Sequence, residues 1–312
     1  MTSIELRQIF YDENTYRVIE SPAIPLDNTT GPRDWFEFWP ILKFLYNHEL
    51  KSSYHYGFFS PKFQQKTGYT INEVMDIVKK NNEYDLIIFS HSWELLSYYK
   101  NPWEYAETVH PGIIDETQKF LNHAGISIDL NSFITCCKNS FYSNYVVANK
   151  KYWDSWVKLC LSFYNYTELS SSKINSLNTI HNRKKNYPLK VFIQERLPAI
   201  LLAIETYKTT NFVKNYNDVK WDFKKTPQNI EKLKLCDFYK EQFIEKGKKV
   251  EYLSKFEKIK KTVLVENLWF DYMTSKPFLI KKFIALLNLL THGRFQERFE
   301  KKRNNEYLER LN

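Results

Sequence analysis

The chain has 312 residues, of which 17% are aromatic, enough for one large domain or two smaller ones with a sizeable core. Its 7 glycines include no Gly-x-Gly-x-x-Gly and no Gly-Lys-Ser/Thr sequence, which disfavours Rossmann dehydrogenases and P-loop enzymes. The four cysteines form no Cys-x-x-Cys pair, and no signal sequence or apolar stretch of about 18 residues is present. We therefore expect a cytoplasmic protein.

Charge is distributed unevenly along the chain. Residues 1–182 hold 16 Lys and Arg against 20 Asp and Glu, whereas residues 183–312 hold 29 against 16. The net charges of the two parts are therefore −4 and +13, within a total of +9. We predict a domain over residues 1–214 and a basic helical region over residues 215–312. Such a region suits nucleic acid, an anionic membrane surface or, most commonly, solubility alone.

The hydrophobic pattern of the first hundred residues predicts alternating strands and helices. It indicates, in chain order, a strand over 4–10, a helix over 35–45, a helix over 70–80 and a strand over 84–90. The second helix begins with the capping box Thr70-Ile-Asn-Glu73. The strand over 84–90 is a continuous apolar run, typical of a strand buried on both faces of a parallel sheet. The alternation favours an α/β fold.

Beyond residue 100 the pattern is mostly helical. It predicts a loop over 101–112, a helix over 113–124, a β-prone block over 139–148, a helix over 150–163, a loop over 165–187 and a buried helix over 191–204. Pro198 should kink the last helix or mark its first turn. The same helix contains Glu195 and Arg196, two charges that need partners in an apolar setting.

The segment YHYGFFSPKFQQKTG over residues 54–68 combines aromatic side chains, one glycine, a Ser-Pro pair and two lysines. This mixture is typical of a ligand-binding turn, and a purely structural turn is the equally weighted alternative. Its adjacent phenylalanines suit the core, which leaves Ser60, Lys62 and Lys66 available to an anionic ligand. Ligands of open α/β sheets bind beyond the carboxyl ends of the strands.

Several ordered blocks of the chain resemble one known family. They span roughly residues 5–212 and read IPLDN, RDWFEFWPILKFL, YHYGFFSPKFQQKTG, DLIIFS, HPGI, SNYVVANKKYWDSW and VFIQERLPAILL. They resemble bacterial glycosyltransferases of the GT-A type that are encoded with O-antigen and capsule genes. The resemblance implies a GT-A-like (Rossmann-like) mixed sheet flanked by helices, which binds a nucleotide-sugar donor. It also implies transfer of the sugar to a glycan or lipid-linked oligosaccharide in polysaccharide synthesis.

The resemblance also implies roles for particular residues. A carboxylate would deprotonate the acceptor hydroxyl, and cations or hydrogen-bond donors would stabilise the leaving diphosphate. We predict Glu107 as this base, with Glu104 and Asp115 as rivals and a solvated loop carboxylate as the structural alternative. The candidates for donor binding are Tyr11, Asp27, Asn28, Ser60, Lys62, Ser90, His91, Ser92 and His110, and those for the acceptor are Asn144 and Tyr145. Ordinary turns and core packing are the alternatives, and core packing is preferred for Trp153.

Metal dependence is in doubt. GT-A enzymes usually place an Asp-x-Asp motif after a central strand, where this chain has Ser90-His91-Ser92 without a carboxylate. We therefore predict no metal ligand and no tightly bound cofactor, and we expect Lys62, Lys66 and His110 to balance the diphosphate instead. No second carboxylate stands out for a covalent intermediate, which favours inversion at the anomeric carbon.

Other functions remain open at this point. The missing Asp-x-Asp allows a non-catalytic interaction module of glycosyltransferase shape. A nucleic-acid-binding protein is disfavoured, because no recognition motif is present and the basic residues are interspersed with Glu. Residues 278–290 form an apolar run between basic residues, which suits either a helix on the inner face of an anionic membrane or one packed on the catalytic domain.

Overall fold

The computed structural model describes residues 3–89, 91–168, 177, 187–214 and 227–274, and the single residues 280, 284, 290, 296 and 298. The chain divides into two compact units, Met1–Tyr216 and Asn217–Asn312. This division falls close to residue 214, where the sequence predicts the end of the first domain. The first unit contains the sheet described next.

Among the described residues, six strands form one mixed sheet. The strands are β1 (Ser3–Phe10), β2 (Ile24–Asp27), β3 (Tyr54–Phe59), β4 (Leu86–Phe89), β5 (Val146–Asn149) and β6 (Thr209–Phe212), in the order β2-β1-β3-β5-β4-β6. β1 pairs in parallel with β2 and β3, and β4 pairs in parallel with β6. β5 is antiparallel to both of its neighbours, β3 and β4. The predicted α/β fold with a mixed sheet is confirmed.

Apolar side chains place the sheet at the centre of the first unit. All four residues of β4 are fully buried, as its continuous apolar run predicts. Gly57 of β3 lies where β1 and β5 approach it closely. A Cβ atom there would come within 2.8 Å of Val147 Cγ2 and 3.0 Å of Leu6 Cδ2, so a larger residue would have to displace these side chains.

Helices flank the sheet. In the first unit they are α1 (Glu13–Arg17), α2 (Phe38–Asn47), α3 (Phe63–Thr67), α4 (Ile71–Lys80), α5 (Trp93–Tyr98), α6 (Pro102–Val109), α7 (Ile113–His123), α8 (Lys150–Glu168), α9 (Leu189–Gln194) and α10 (Leu197–Ile204). The predicted capping box of α4 is confirmed: the Thr70 amide donates to Glu73 Oε2 at 2.8 Å, and the Glu73 amide donates to Thr70 Oγ1 at 3.2 Å. A 3-10 turn, Arg33–Trp35, precedes α2.

Several predicted elements differ from the structure. Residues 102–109 form helix α6 instead of a loop, because the Asn101 side chain accepts hydrogen bonds from the Trp103 and Glu104 amides and Pro102 fits the first turn. The β-prone block contributes only its last residues to β5. The single helix over 191–204 is two helices, and Pro198 lies in the first turn of the second. That position needs no amide donor, so the proline starts a helix there.

The second unit contains α11 (Pro227–Glu245) and α12 (Val250–Thr274), which pack against each other. Within the described part of the chain, no helix is long and apolar enough to cross a membrane. Most of the apolar run over 278–290 lies outside the described residues. Three of its residues are described, and Ile284 is buried whereas Ile280 and Leu290 are exposed.

Candidate functional site

A cavity of about 670 Å³ opens at the carboxyl edge of the sheet. Its floor comes from residues at or just beyond the ends of β1, β2 and β3, namely Tyr11, Asn28 and Ser60. Because β5 runs in the opposite direction, the residues that precede it reach the same edge. The reversed strand thereby brings Asn144 and Tyr145 into the cavity wall.

The cavity gathers six of the predicted site residues. Tyr11, Asn28, Ser60 and Lys62 were predicted for the donor, and Asn144 and Tyr145 for the acceptor; all line this one space. Lys66, expected as a fixed cation, also lines the cavity.

Two carboxylates that the sequence did not assign to the site face this space as well. Glu37 precedes α2, and Glu195 follows α9. Glu37 had a sequence signal that was missed: it is an isolated charge in the aromatic run Trp-Phe-Glu-Phe-Trp over residues 35–39. Glu195 was noticed only as a charge that needs a partner. Charged groups in apolar sequence are candidates for function.

Burial raises the pKa of Glu37 to about 7, well above its ordinary value of 4.5. The negative charge of Glu195 also raises it, whereas Lys66, a hydrogen bond from Ser60 and Lys62 lower it. The side chain keeps some solvent exposure, because it meets water through the cavity while protein atoms surround it on the other sides. A carboxyl group with a pKa near 7 exchanges protons readily at neutral pH.

Hydrogen bonds connect Glu37 to the end of β3 and the start of β5. The Ser60 hydroxyl bonds to the Glu37 carboxylate, and its Oγ lies 2.6 Å from the Tyr145 hydroxyl oxygen. Both hydroxyl groups are nearly inaccessible to bulk solvent. Burial, followed by the charge of Glu37, raises the pKa of Tyr145 well above its usual value, so this phenol stays protonated. The protonated phenol can therefore donate a hydrogen bond to Ser60 Oγ.

Glu195 has a similar environment. Burial raises the pKa of its carboxyl group, and the adjacent Arg196 and the ammonium of Lys66 lower it. Arg196 itself is directed elsewhere: its guanidinium donates to the carbonyl oxygens of Pro102 and Phe192. Lys66 therefore acts on both carboxylates of the cavity, Glu37 and Glu195.

Gln194 lines the cavity with an unsatisfied amide. It is 4% exposed, and its Oε1 accepts no hydrogen bond from any residue that the structure describes. A buried amide oxygen without a donor costs stability, of the order of 1–3 kcal/mol. A hydrogen-bond donor from water or from a ligand in the cavity would satisfy this oxygen. Asn144, by contrast, accepts a hydrogen bond from the Trp156 indole at 3.2 Å.

A buried ion cluster holds the segment that precedes Glu37. The ammonium of Lys190, which is fully buried, donates to the carboxylates of Asp34 and Glu168. The Trp35 indole donates to Glu168 as well, at 3.0 Å. These contacts join the 3-10 turn to α8 and α9, so Glu37 is carried by a braced segment.

Aromatic side chains form part of the cavity wall. Tyr11, Phe36, Tyr187 and Phe192 all line it, and the Phe36 and Tyr187 rings meet edge to face with centroids 4.7 Å apart. Flat rings of this kind offer stacking surfaces to a nucleobase or to the apolar face of a sugar. The cavity thus combines aromatic, cationic and carboxylate groups.

Of the other predicted donor residues, those that the structure describes lie outside this space. Asp27 is exposed and accepts the Thr29 amide at 2.7 Å, the ordinary turn that was its structural alternative. Ser90 lies outside the described residues. His91 and Ser92 do not line the cavity, although the His91 ring contacts Tyr145 with centroids 5.4 Å apart. His110 does not line the cavity but stacks on Phe192, which does, with ring centroids 3.6 Å apart.

Glu107 is placed as a helix cap and not as a cavity residue. Its two carboxylate oxygens accept the amides of Gly112 and Ile114 at 2.7 and 3.0 Å, at the start of α7. The rivals are also away from the cavity: Glu104 accepts the Lys100 amide, and Asp115 lies in the first turn of α7. The helix start gives these carboxylates a structural role. Trp153 is fully buried, as its structural alternative predicts.

The part of the chain that the structure describes contains no group of three or more His, Cys, Asp or Glu side chains arranged to hold a metal ion. Comparisons of the chain with protein-family models, with curated proteins and with solved structures find no match. Its function is therefore inferred from the chemistry of the cavity.

Proposed function

We propose that the protein is a glycosyltransferase that moves a sugar from a nucleotide-sugar donor to a glycan or lipid-linked acceptor. The observation that carries the proposal is the cavity at the carboxyl edge of the mixed sheet, where aromatic walls, two lysines and a carboxylate of raised pKa meet. A GT-A-like arrangement of the sheet, implied by the resemblance, belongs to the same proposal. Each group has a place in sugar transfer.

The basic residues suit the diphosphate of the donor. Arg33, Lys62 and Lys66 line the cavity with the two carboxylates, Glu37 and Glu195, so the ionised side chains among its described lining residues leave one net positive charge. As the sugar departs, negative charge grows on the diphosphate, and fixed cations stabilise it in a water-poor site. The aromatic rings are proposed to stack on the base or the sugar.

Glu37 takes the role of general base in this proposal, in place of Glu107. The ionised carboxylate removes the proton of the acceptor hydroxyl while that oxygen forms a bond to the anomeric carbon and the bond to the nucleoside diphosphate breaks. Glu107 is unsuited to the step, because both of its oxygens already accept amide hydrogen bonds. Its substitution tests stability, whereas substitution of Glu37 tests turnover.

Inversion at the anomeric carbon is retained as the proposal, although the cavity holds two carboxylates. Glu195 raises the pKa of Glu37, which strengthens it as a base without requiring Glu195 to attack the sugar. The anomeric configuration of the product, read by NMR, decides between this mechanism and a double displacement.

The function is tested by thermal shift and product formation against a panel of nucleotide sugars, each with Mn²⁺ and with EDTA. We expect one donor to raise the melting temperature and to be consumed, and Glu37→Gln to lose about 10²–10⁴-fold in turnover. Glu107→Gln serves as the matched control and retains activity. If no nucleotide or nucleotide sugar stabilises the protein, the proposal is wrong.

The acceptor side of the proposal places the protein at the inner face of the cytoplasmic membrane. A lipid-linked acceptor would be met there, and the basic region over residues 215–312 would be drawn to anionic lipid. Flotation of the intact protein with anionic liposomes at low and high salt tests this. Consumption of a nucleotide sugar in the panel distinguishes an enzyme from a non-catalytic module. If neither duplex nor single-stranded DNA binds the protein, the nucleic-acid alternative is excluded.

A further inference from the structure

Lys66 occupies a shared position in the cavity. It is carried by α3, and its ammonium lies 5.4 Å from the centre of the Tyr145 ring. From there its charge acts on the carboxylates of both Glu37 and Glu195, which repel each other. Any anion that enters the cavity competes with these two carboxylates for the same ammonium.

Several strands and helices around Glu37 contribute groups that face it. They are Ser60 at the end of β3, Tyr145 before β5, Lys62 and Lys66 at the start and within α3, Glu195 after α9 and Tyr11 after β1. Among the two lysines, Lys66 has the larger effect on Glu37, and Lys62 is exposed to solvent. If a ligand binds the Lys66 ammonium, the pKa of Glu37 should therefore change more than it would if the ligand bound Lys62.

We propose that the cavity binds a diphosphate-type anion together with one proton: the anion draws the Lys66 ammonium away from Glu37, and Glu37 takes up the proton. The proton comes from the solvent and converts the carboxylate to the neutral carboxylic acid, so that no further reactant is needed. Only the identity of the anion, the diphosphate of a donor, rests on the proposed function.

The sign of the coupling follows from electrostatics. Without a bound anion, the ionised carboxylate of Glu37 is stabilised by the positive charge of Lys66. With an anion bound, the carboxylate loses part of this stabilisation and lies near a second negative charge. Both changes raise the affinity of Glu37 for a proton. By linkage, anion binding weakens as the pH rises through the titration of Glu37.

In the proposed transfer reaction, Lys66 would be a positioning residue that makes the base stronger when the donor is present. We expect the acidic limb of the kcat profile to lie at higher pH than that of kcat/KM for the donor, since kcat reports the bound state and kcat/KM the free enzyme. If Lys66 had only a structural role, the acidic limbs of the kcat and kcat/KM profiles would lie at the same pH.

The coupling is measured by calorimetric titration of the full chain with inorganic pyrophosphate at pH 7.5, in two buffers of different ionisation enthalpy. Pyrophosphate itself titrates near this pH, so Glu37→Gln gives the baseline. If the anion raises the pKa of Glu37 by one unit from about 7, the wild type takes up roughly half a proton more than this variant.

Two lysine variants give a second comparison that does not depend on Glu37→Gln. Lys66→Met should weaken binding and remove most of the excess proton uptake. Lys62→Met, the matched control, should weaken binding by a similar factor but keep the uptake. Melting temperatures show that each variant is folded.

Three results would overturn the inference: no binding of pyrophosphate to the wild type, equal proton uptake in the wild type and Glu37→Gln, or equal loss of uptake in the two lysine variants. The probe contains no sugar. Proton-coupled binding without sugar transfer would thus refute the proposed function alone, and transfer without excess uptake would refute the coupling alone.

Discussion

Glu37 makes the stability of the protein depend on pH. Burial raises the pKa of its carboxyl group from 4.5 to about 7, so the folded chain holds this proton more tightly than the unfolded chain. The group therefore favours the folded state below about pH 4.5, and this contribution is lost as the pH rises through about 7. Ionisation of Glu37 opposes folding at higher pH.

Glu37→Gln should consequently raise the free energy of unfolding relative to the wild type at pH 8, by at most about 3 kcal/mol, with a much smaller gain at pH 4. Urea denaturation at the two pH values measures the difference. Glu49→Gln, the same change at an exposed position, is the control and should show no such pH dependence. A gain that is equal at both pH values would contradict the burial of charge at Glu37.

Gln194 should matter to the ligand more than to the fold. Because its Oε1 has no donor among the described residues, Gln194→Leu should leave the melting temperature unchanged or raise it. The same change should weaken the binding of the nucleotide sugar that stabilises the protein by about tenfold, which is the effect of one lost hydrogen bond. Thermal shift and a binding titration measure both quantities.

Asn144 provides the contrast for Gln194. Its side chain accepts the Trp156 indole hydrogen bond, so Asn144→Leu leaves a buried donor without its partner and should lower the melting temperature. If Gln194→Leu destabilised the protein to the same extent without affecting binding, the amide would have only a structural role.

At the scale of elements, Glu107 joins α6 to the start of α7. Its carboxylate satisfies two amides that the helix cannot pair internally, so Glu107→Ala should lower the free energy of unfolding by about 1–2 kcal/mol. Turnover of the folded variant should stay within a few-fold of the wild type. Loss of turnover at an unchanged melting temperature would return the role of base to Glu107.

The same region shows how far local sequence signals reach. Asn101 and Pro102 are an N-cap residue followed by a first-turn proline, a pattern that predicts the start of a helix. Residues 101–112 are nevertheless predicted as a loop, so this local signal is missed. The Thr70 capping box was recognised because its two members satisfy each other within four residues.

At the scale of the whole molecule, the cavity belongs to one of the two compact units. Every residue that lines it in the part of the chain that the structure describes lies before residue 217, where the division falls. A fragment of residues 1–216 should therefore fold cooperatively and bind pyrophosphate with an affinity within a few-fold of the full chain. Thermal melts and calorimetric titration check this. A fragment that does not fold would show that the first unit depends on residues beyond 216.

The sequence by itself determined the elements whose signals are local. Apolar alternation specified β1 and a continuous apolar run specified β4, whereas residues 54–68, predicted as a turn, divide between β3, α3 and the short connection that carries Ser60 and Lys62. These signals are readable because the residues that create them are neighbours in the chain.

Only the tertiary structure decided the direction of β5 and the partners of Glu37. The reversal of one strand brings Tyr145 to the same edge as Ser60, 85 residues earlier in the chain. Burial at this edge then raises the pKa of Glu37, whereas the carboxylate predicted from its spacing, Glu107, is used to cap a helix. A pKa depends on charges and dielectric in space, which separation along the sequence does not encode.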